Sequence, residues 1–195
     1  MSEEDADATR YLVWPEGLRP PDVDVPEGYA LRTSRLDGRD RDAVADLLEG
    51  EGCPADDDHL AAFRDRVLPS GCFVAVERAT NAVVGTCAAT HNPDAGRHHF
   101  PFGGEVACLV VDPHYRREGL GRALAAAATR RLLEAGYDSV RAGVDPERTA
   151  ALSLFLNAGY APFLLSEADV GRWRDVFDAL GLPFDRKRCV RADAD

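Results

Sequence analysis

The chain has 195 residues, a length that predicts one domain with a sizeable core of its own. Apolar residues make up 45% and charged residues 29%, which is typical of a globular protein, and no apolar run approaches the roughly 20 residues of a membrane span. The net charge of −11 argues against a nucleic-acid partner, because neutralising phosphates requires a basic face.

The N-terminus, the cysteines and the charge bias bear on the compartment. The opening MSEEDADATR is acidic and has no apolar signal core, so we expect a cytoplasmic protein. The five cysteines are odd in number and lack C-x-x-C spacing, which disfavours a disulfide framework and a zinc cluster. The acidic charge would attract an amine substrate, but a GC-rich genome or a salty cytoplasm explains the same bias and is the better supported reason.

Three parts are predicted along the chain: an N-terminal arm over residues 1–27, a main domain over 28–165, and a C-terminal helix and tail over 166–195. Within the arm, the stretch YLVW at 11–14 is too apolar for a free tail. We expect it to pack on the domain as an arm or an edge strand, and a contact in a homodimer is the alternative.

In the first half of the main domain, apolar residues at the spacing of a strand alternate with apolar residues at the spacing of a helix. A strand is predicted at 29–34 and a helix at 39–50. A second helix begins at the aspartates 56–58, which offer an N-cap, and runs through residue 68. These aspartates do not predict calcium, because no EF-hand spacing follows them. Two apolar segments at 72–77 and 82–89 then predict a hairpin.

A long loop over 90–104 brings together His91, Asp94, His98 and His99. Adjacent histidines in a loop lack rigid ligand geometry, so a metal site is disfavoured. A loop of this length directly before a buried strand is better interpreted as a flap on the substrate side.

The most informative stretch follows this loop. An apolar strand at 106–111 ends at Asp112-Pro113, and a basic turn with two glycines leads into a helix that ends at Gly136. A helix opening at 119–122 leaves its first N–H groups unpaired at the positive end of its dipole, and glycine lets an anion approach the backbone. Neither G-x-G-x-x-G nor G-x-x-x-x-G-K-[ST] is present, which argues against a dinucleotide fold and an NTPase. A plain strand–turn–helix connector is the alternative.

The remaining chain predicts a strand at 139–144, a helix at 147–158 and a strand at 160–165. Ser166 and the acidic residues after it indicate the start of a last helix. Its apolar stripe is expected to dock on the domain, with a dimer contact as the alternative. The charged tail 185–195 is expected to fray.

Two blocks, about thirty residues apart, resemble the GNAT N-acetyltransferase superfamily. The first is Arg116-x-x-Gly119-x-Gly121 after a strand ending in LVVDP, and it is similar to the acetyl-coenzyme A motif of that family. The second, over 144–160, resembles the family's strand–helix segment, and it matches at Ala151, Leu154, Phe155, Gly159 and Tyr160. The resemblance covers residues 105–163. It implies an α/β (α+β) fold with a mixed, mostly antiparallel sheet of six to seven strands, a splayed central strand and helices on both faces.

The resemblance also implies a reaction. The main domain, 28–165, would transfer acetyl directly from acetyl-coenzyme A to the amine of a small molecule, a protein or a peptide, without a covalent enzyme intermediate and without a metal. Glu105 lies eleven residues before Arg116, where some family members place a catalytic glutamate. It is therefore the expected general base. A merely solvated glutamate at the strand edge is the alternative, and His91, His98 or His99 would serve if the flap folds over the site.

Cofactor contacts are carried over from the family in the same way. Backbone groups of Leu109 and Val111 are expected to pair with the pantetheine arm, Val110 lies in the zone that polarises the thioester carbonyl, and N–H groups of 117–122 are expected to hold the pyrophosphate. The full set is Leu109, Val110, Val111, Arg116, Arg117, Glu118, Gly119, Leu120, Gly121, Arg122 and Phe155.

Two positions depart from the family. Phe155 stands where many members have a tyrosine that is thought to protonate the departing thiolate, and Phe has no proton to donate. Arg148 stands where an asparagine is common. These departures favour a second hypothesis, an acyl-coenzyme A sensor or a catalytically weak relative. A transferase of longer acyl groups is a third. The acceptor itself is not predicted, because acceptor specificity lies in variable loops.

Overall fold

The computed structural model describes residues 9–95, 98–99 and 103–192. Its strands are β1 (Arg10–Val13), β2 (Tyr29–Thr33), β3 (Val67–Glu77), β4 (Val83–His91), β5 (Asp94–Ala95), β6 (His98–His99), β7 (Gly103–Val111), β8 (Ser139–Val144), β9 (Ala161–Leu164) and β10 (Val190–Arg191). Its α-helices are α1 (Gly38–Gly50), α2 (Asp57–Arg66), α3 (Leu120–Glu134), α4 (Thr149–Ala158) and α5 (Ala168–Ala179).

Eight of these strands form one sheet in the order β10-β9-β1-β8-β7-β4-β3-β2, and β5 pairs only with β6 in a separate two-stranded ribbon. The sheet is antiparallel except where β7 meets β8 and β9 meets β10. The predicted mixed, mostly antiparallel fold is confirmed. The strand number is eight and not six to seven, because β1 and the short β10 join the sheet.

Helices cover both faces of the sheet. A main core packs α3, α4 and α5 against one face, with Leu124, Leu132 and Leu152 completely buried in it. A second core packs α1 and α2 against the other face, where Val44 and Phe63 are buried. The apolar residues of each helix therefore form a stripe that faces the sheet, as expected of amphipathic helices.

Residues 11–14 pack on the domain as predicted, but the prediction that they do so as an arm or an edge strand is wrong. Strand β1 lies inside the sheet, since Leu12 pairs with Ala142 of β8 on one side and with Pro162 of β9 on the other. Its side chain is 0% exposed. An apolar run looks the same in sequence at the edge and at the centre of a sheet, and only the partner strands decide between them. The three-part division of the chain stays a prediction.

The C-terminal segment is bound to the domain over its described length. In α5, Trp173 is buried in the main core, and Asp169 accepts backbone hydrogen bonds from Leu165 and Ser166 at 3.0 and 2.8 Å. Beyond it, Val190 of β10 pairs with Phe163 of β9. The prediction of a frayed tail is therefore wrong up to residue 192, because backbone pairing holds it.

The central strand is splayed, as predicted. β7 and β8 pair in parallel at only three positions, Gly103↔Ser139, Gly104↔Val140 and Glu105↔Arg141. Both strands continue, but their described residues form no further pairs with each other, while β7 keeps its pairing to β4 as far as Val111. A register shift between β4 and β7 accompanies a positive φ of 52° at Cys108, the mark of a β-bulge. A gap thus opens between β7 and β8.

No helix in the described part of the chain is both long and apolar enough to cross a bilayer. Nor do the described residues hold a group of three or more His, Cys, Asp or Glu side chains able to bind a metal ion. The five cysteines are free thiols.

Candidate active site

The gap between β7 and β8 exposes one backbone edge of β7. Val110 pairs with Thr86 of β4, and the N–H of Asp112 donates to the carbonyl of Val84 at 2.9 Å. Successive residues of a strand point their backbone groups to opposite sides, so Leu109 and Val111 turn theirs away from β4 and into the gap. A ligand with amide groups can pair there as an added strand would.

The chain then makes a short turn that ends at the N-terminus of α3. Asp112 stabilises the start of this turn by accepting the N–H of His114 at 2.8 Å. Gly119, at φ = 94°, is the N-cap residue of α3 and has no side chain to cap it. The first backbone N–H that forms an intrahelical hydrogen bond is that of Ala123, which donates to the Gly119 carbonyl at 3.1 Å. The N–H groups of 120–122 therefore face outward at the positive end of the helix dipole, an arrangement suited to an anion.

Glycine is required at the two positions of this turn for different structural reasons. Gly119 adopts a left-handed conformation that other residues rarely take. Gly121 is in the helix, where an added Cβ atom would lie 2.9 Å from Cδ1 of Leu154 on α4. Close approach of α3 to α4 thus requires a glycine at 121, whatever binds at the helix end.

The arginine that opens the motif is held by a carboxylate. Arg116 forms an ion pair with Glu51, the C-cap residue of α1, and its Nε donates to the carbonyl of Val111 at 2.9 Å. Arg148, after β8, lies with Nη1 3.5 Å from Oε2 of Glu51 and donates to the Glu51 carbonyl at 3.1 Å. Glu51 therefore joins the loops that follow the two splayed strands. The side chains of Arg117 and Arg122 are exposed to solvent.

Two further motif residues contact the body of the domain. The Tyr29 hydroxyl donates to Oε2 of Glu118 at 2.6 Å, and this hydrogen bond, together with burial, raises the pKa of Tyr29 to about 12. Leu120 is buried in the main core, so only its backbone is available to a ligand. These contacts fix the turn just before the first glycine and between the two glycines.

Glu105, the expected base, lies where β7 and β8 begin to separate. Its neighbour Val106 is in the main core, so the Glu105 side chain points to the opposite face of the sheet. One carboxylate oxygen, Oε2, accepts a hydrogen bond from the Asn92 amide and lies 3.8 Å from Nη2 of Arg141. Burial, and then the charge of Glu105, raises the pKa of Tyr11, which Arg141 opposes.

Arg141, Asn92, Tyr11 and Glu51 are the residues of this region that the sequence did not single out. Arg141 is a fully buried arginine in the middle of an apolar strand. A charged residue inside such a run is unusual, since isolated buried charge is costly, and this signal was available in the sequence. The other three have no sequence signal, because they approach the site only through sheet pairing and loop packing.

His91, one of the three histidines expected to serve in place of Glu105, does not lie beside it. On β4, Thr90 pairs with Glu105 and His91 pairs with Gly104, so His91 lies on the opposite face of the sheet. There its Nδ1 is 2.9 Å from the Tyr137 hydroxyl. The alternative base His91 is therefore excluded by strand alternation. The side chains of Asp94, His98 and His99 lie outside the described part of the structure.

Phe155 occupies a core position. It is 3% exposed and its ring meets that of Tyr160 edge-on at 5.1 Å. The Tyr160 hydroxyl is itself buried, 2.6 Å from Oγ1 of Thr129, and burial raises its pKa. Neither ring provides a titrating proton at the position of the family's tyrosine.

Comparison with known proteins agrees with this geometry. A model described as the acetyltransferase (GNAT) family matches residues 41–160, more than half of the chain. A mycothiol acetyltransferase from Thermobispora bispora is 34% identical over 148 residues, which is 72% of this chain and 49% of the relative. The chain spans between about a third and a half of the length of the curated relatives it matches.

Solved structures show the same fold. A GCN5-related N-acetyltransferase from Sphaerobacter thermophilus superposes with a TM-score of 0.63 at 23% identity, covering 79% of this chain and 48% of that one. A diaminobutyrate acetyltransferase from Paenibacillus lautus, in complex with L-2,4-diaminobutyric acid and coenzyme A, superposes with a TM-score of 0.50 at 21% identity, covering 68% and 75%. At these identities the likeness concerns the fold alone.

Proposed function

Because this chain belongs to the GNAT acetyltransferase family, we propose that it transfers acetyl from acetyl-coenzyme A to the amine of a small molecule. One observation carries the proposal: the gap between β7 and β8 leads directly to the uncapped first turn of α3. An amide-containing arm and a diphosphate need these two features in this order. A relative acts as a mycothiol acetyltransferase, so small-molecule amines come before peptides as acceptors to be tested.

Acetyl-coenzyme A would supply the acetyl group as a thioester. The strand edge at Leu109, Val110 and Val111 fits its pantetheine arm, since the backbone groups of Leu109 and Val111 face the gap. The N–H groups of residues 117–122 fit the diphosphate, and Arg117 and Arg122 add exposed positive charge. The side chains of Glu118, Leu120 and Phe155 are engaged in the protein, so any contact at the first two would be through the backbone.

In this proposal Glu105 accepts the proton that the amine must lose before it attacks. Its side chain is 20% exposed, which leaves it accessible from the face of α1 and α2. Phe155 has no proton to donate, so the side chain at that position contributes no general acid.

Two measurements test the proposal. The first is thermal stability during titration with acetyl-coenzyme A, since a one-site ligand at about 100 times its Kd stabilises the folded state by about 2.7 kcal/mol. We expect Arg122→Glu to abolish this shift, because it reverses a charge at the first turn of α3. Arg130→Glu makes the same reversal farther along the exposed side of α3 and should keep the shift. No shift in the unmodified protein would refute the cofactor assignment.

The second measurement is release of free thiol with a panel of amines, including the amine acceptor of a mycothiol acetyltransferase. We expect Glu105→Gln to bind acetyl-coenzyme A as before and to lower acetyl transfer by about 100- to 10,000-fold, the usual contribution of a general base. Transfer at the parent rate by this variant would show that Glu105 is not the base.

Phe155 favours a second candidate function, a sensor that binds acyl-coenzyme A without turnover. It predicts the same thermal shift, no thiol release with any amine, and no effect of Glu105→Gln. A transferase of longer acyl groups would instead show a preference for longer thioesters in the same assay. The cytoplasmic location and the homodimer stay predictions from the sequence.

A further inference from the structure

We propose that Arg141 is a positioning residue, which fixes the Glu105 carboxylate by its Oε2 atom and leaves Oε1 to accept the proton. The inference rests on the proposed function, because it assigns the role of a neighbour to the proposed base. It concerns a residue that is not among the motif positions of the family resemblance.

The sheet places the two charges side by side. Glu105 and Arg141 are partners in the last parallel pair that β7 and β8 form before they separate. Val140 and Ala142 flank Arg141 and lie in the main core, so the Arg141 side chain points to the other face, as the Glu105 side chain does. Register therefore fixes both side chains at the apex of the gap, on the face of α1 and α2.

The two carboxylate oxygens of Glu105 have different contacts. Asn92 donates its amide to Oε2, and Nη2 of Arg141 lies 3.8 Å from the same atom. Within the described part of the chain, Oε1 has no hydrogen-bond donor. Gly143 lies on the side of Oε1, where a Cβ atom built on it would be in ordinary van der Waals contact with this oxygen at 3.7 Å. One oxygen is held and the other is left to react.

Electrostatics strengthen this arrangement. The Arg141 side chain is 1% exposed and permanently charged, so its field is weakly screened by solvent. A cation at this range attracts the Glu105 carboxylate and helps to hold it in one orientation. The other titratable groups whose pKa values respond to Glu105 are Tyr11 of β1 and Cys108 of β7, and burial is the first cause of the raised pKa of both. Arg141 is therefore the cation that balances Glu105 at the apex.

The separate effects on kcat and KM test this role. We expect Arg141→Gln to lower kcat by about 10-fold, because the Glu105 carboxylate is no longer held with Oε1 free to accept the proton. Arg141→Lys should restore most of this loss, since it keeps the charge, and Arg130→Gln, at an exposed position of α3, should change nothing. Affinity for acetyl-coenzyme A should be unaltered in all three. A loss that Arg141→Lys does not reduce, or one confined to KM, would overturn the proposal.

A second measurement does not depend on activity. Urea unfolding of Arg141→Gln, Glu105→Gln and the double variant gives the coupling between the two residues. We expect the double variant to lose less stability than the sum of the single variants, because either single change already removes the ion pair that the two side chains share. Additive effects would overturn the pairing even in an active enzyme. Non-zero coupling in a protein that acetylates no amine would count against the proposed function and not against the pairing.

Discussion

At the scale of single residues, the turn before α3 shows how a glycine pattern can have two causes. Gly119 satisfies a backbone angle, and Gly121 satisfies the packing of α3 against Leu154 of α4. An anion site explains the glycine at 119 more directly than the glycine at 121. A match to the motif therefore does not show whether a glycine is needed for binding or for packing. Substitutions are needed to distinguish the two.

We expect Gly121→Ala to destabilise the protein by about 1 kcal/mol, since the new methyl group would force Leu154 to move. In a Leu154→Ala background the clash is gone, and the same change should stabilise by about 0.5 kcal/mol through helix propensity. Urea unfolding of the four proteins of this cycle measures both values. The same effect of Gly121→Ala in both backgrounds would contradict the packing explanation.

Tyr29 gives a prediction about alkaline pH. Its hydrogen bond to Glu118 raises the pKa of the folded tyrosine from 10.0 to about 12. An unfolded tyrosine loses its proton near pH 10, so the stability from this bond is complete below about pH 10 and is lost as pH rises toward 12. The parent should therefore lose stability across this window.

Tyr29→Phe and Glu118→Gln should each flatten this loss, because Phe removes the hydroxyl proton itself and Gln removes the negative charge that holds it. Urea unfolding at intervals from pH 9 to pH 11.5 provides the comparison. Some loss of stability with rising pH should remain, since the pKa values of Tyr11, Tyr115 and Tyr160 are raised as well. If both variants lose as much stability over this pH range as the parent, the bond does not persist in solution.

At the scale of elements, β1 is the strand whose position has the largest consequence for the fold. It joins β8 to β9, and Leu12 reaches the main core from it. We expect Leu12→Ala to cost about 2–5 kcal/mol, the usual range for a fully buried leucine. Leu18→Ala makes the same change at a side chain that is 45% exposed and should cost less than about 0.5 kcal/mol. Urea unfolding of both variants checks the prediction, and equal costs would mean that β1 is not bound inside the sheet.

Local sequence signals predicted the elements that depend on local physics. The strand expected at 139–144 is β8, and the helix expected at 147–158 is α4 with its start two residues later. The place of β1 between β8 and β9, and of β10 beside β9, was not predictable in this way, because strand neighbours are chosen by non-local pairing.

The same division applies to the site. Glu105 and the turn at 116–122 lie in one strand–turn–helix unit, and the resemblance to the GNAT family made them candidates; their roles stay predictions. Asn92 and Arg141 meet Glu105 through the register of β4, β7 and β8, and Glu51 meets Arg116 from a helix 65 residues earlier. Contacts of that kind depend on the folded sheet, and no periodicity in the sequence encodes them.

At the scale of the whole molecule, charge poses a problem for the proposed cofactor. The chain has a net charge of −11, and coenzyme A is an anion. Long-range repulsion must therefore be overcome by local donors at α3 and by nearby arginines. Two of those arginines, Arg116 and Arg148, are paired with Glu51. The carboxylate lowers the positive potential at the place where the two loops could bind an anion.

We expect Glu51→Gln to tighten the binding of coenzyme A by about 3- to 10-fold, because it frees two half-exposed guanidinium groups from a competing carboxylate. Glu49→Gln is the matched control: it removes the same charge from the exposed surface of α1 and should change the Kd by less than about 2-fold. Calorimetric titration at low and high salt measures both, and the advantage of Glu51→Gln should shrink as salt screens the arginines. Weaker binding by Glu51→Gln would mean the reverse, that Glu51 orients Arg116 and Arg148 toward the ligand. Equal changes in the two variants would assign the effect to net charge and leave the pairing without a role in binding.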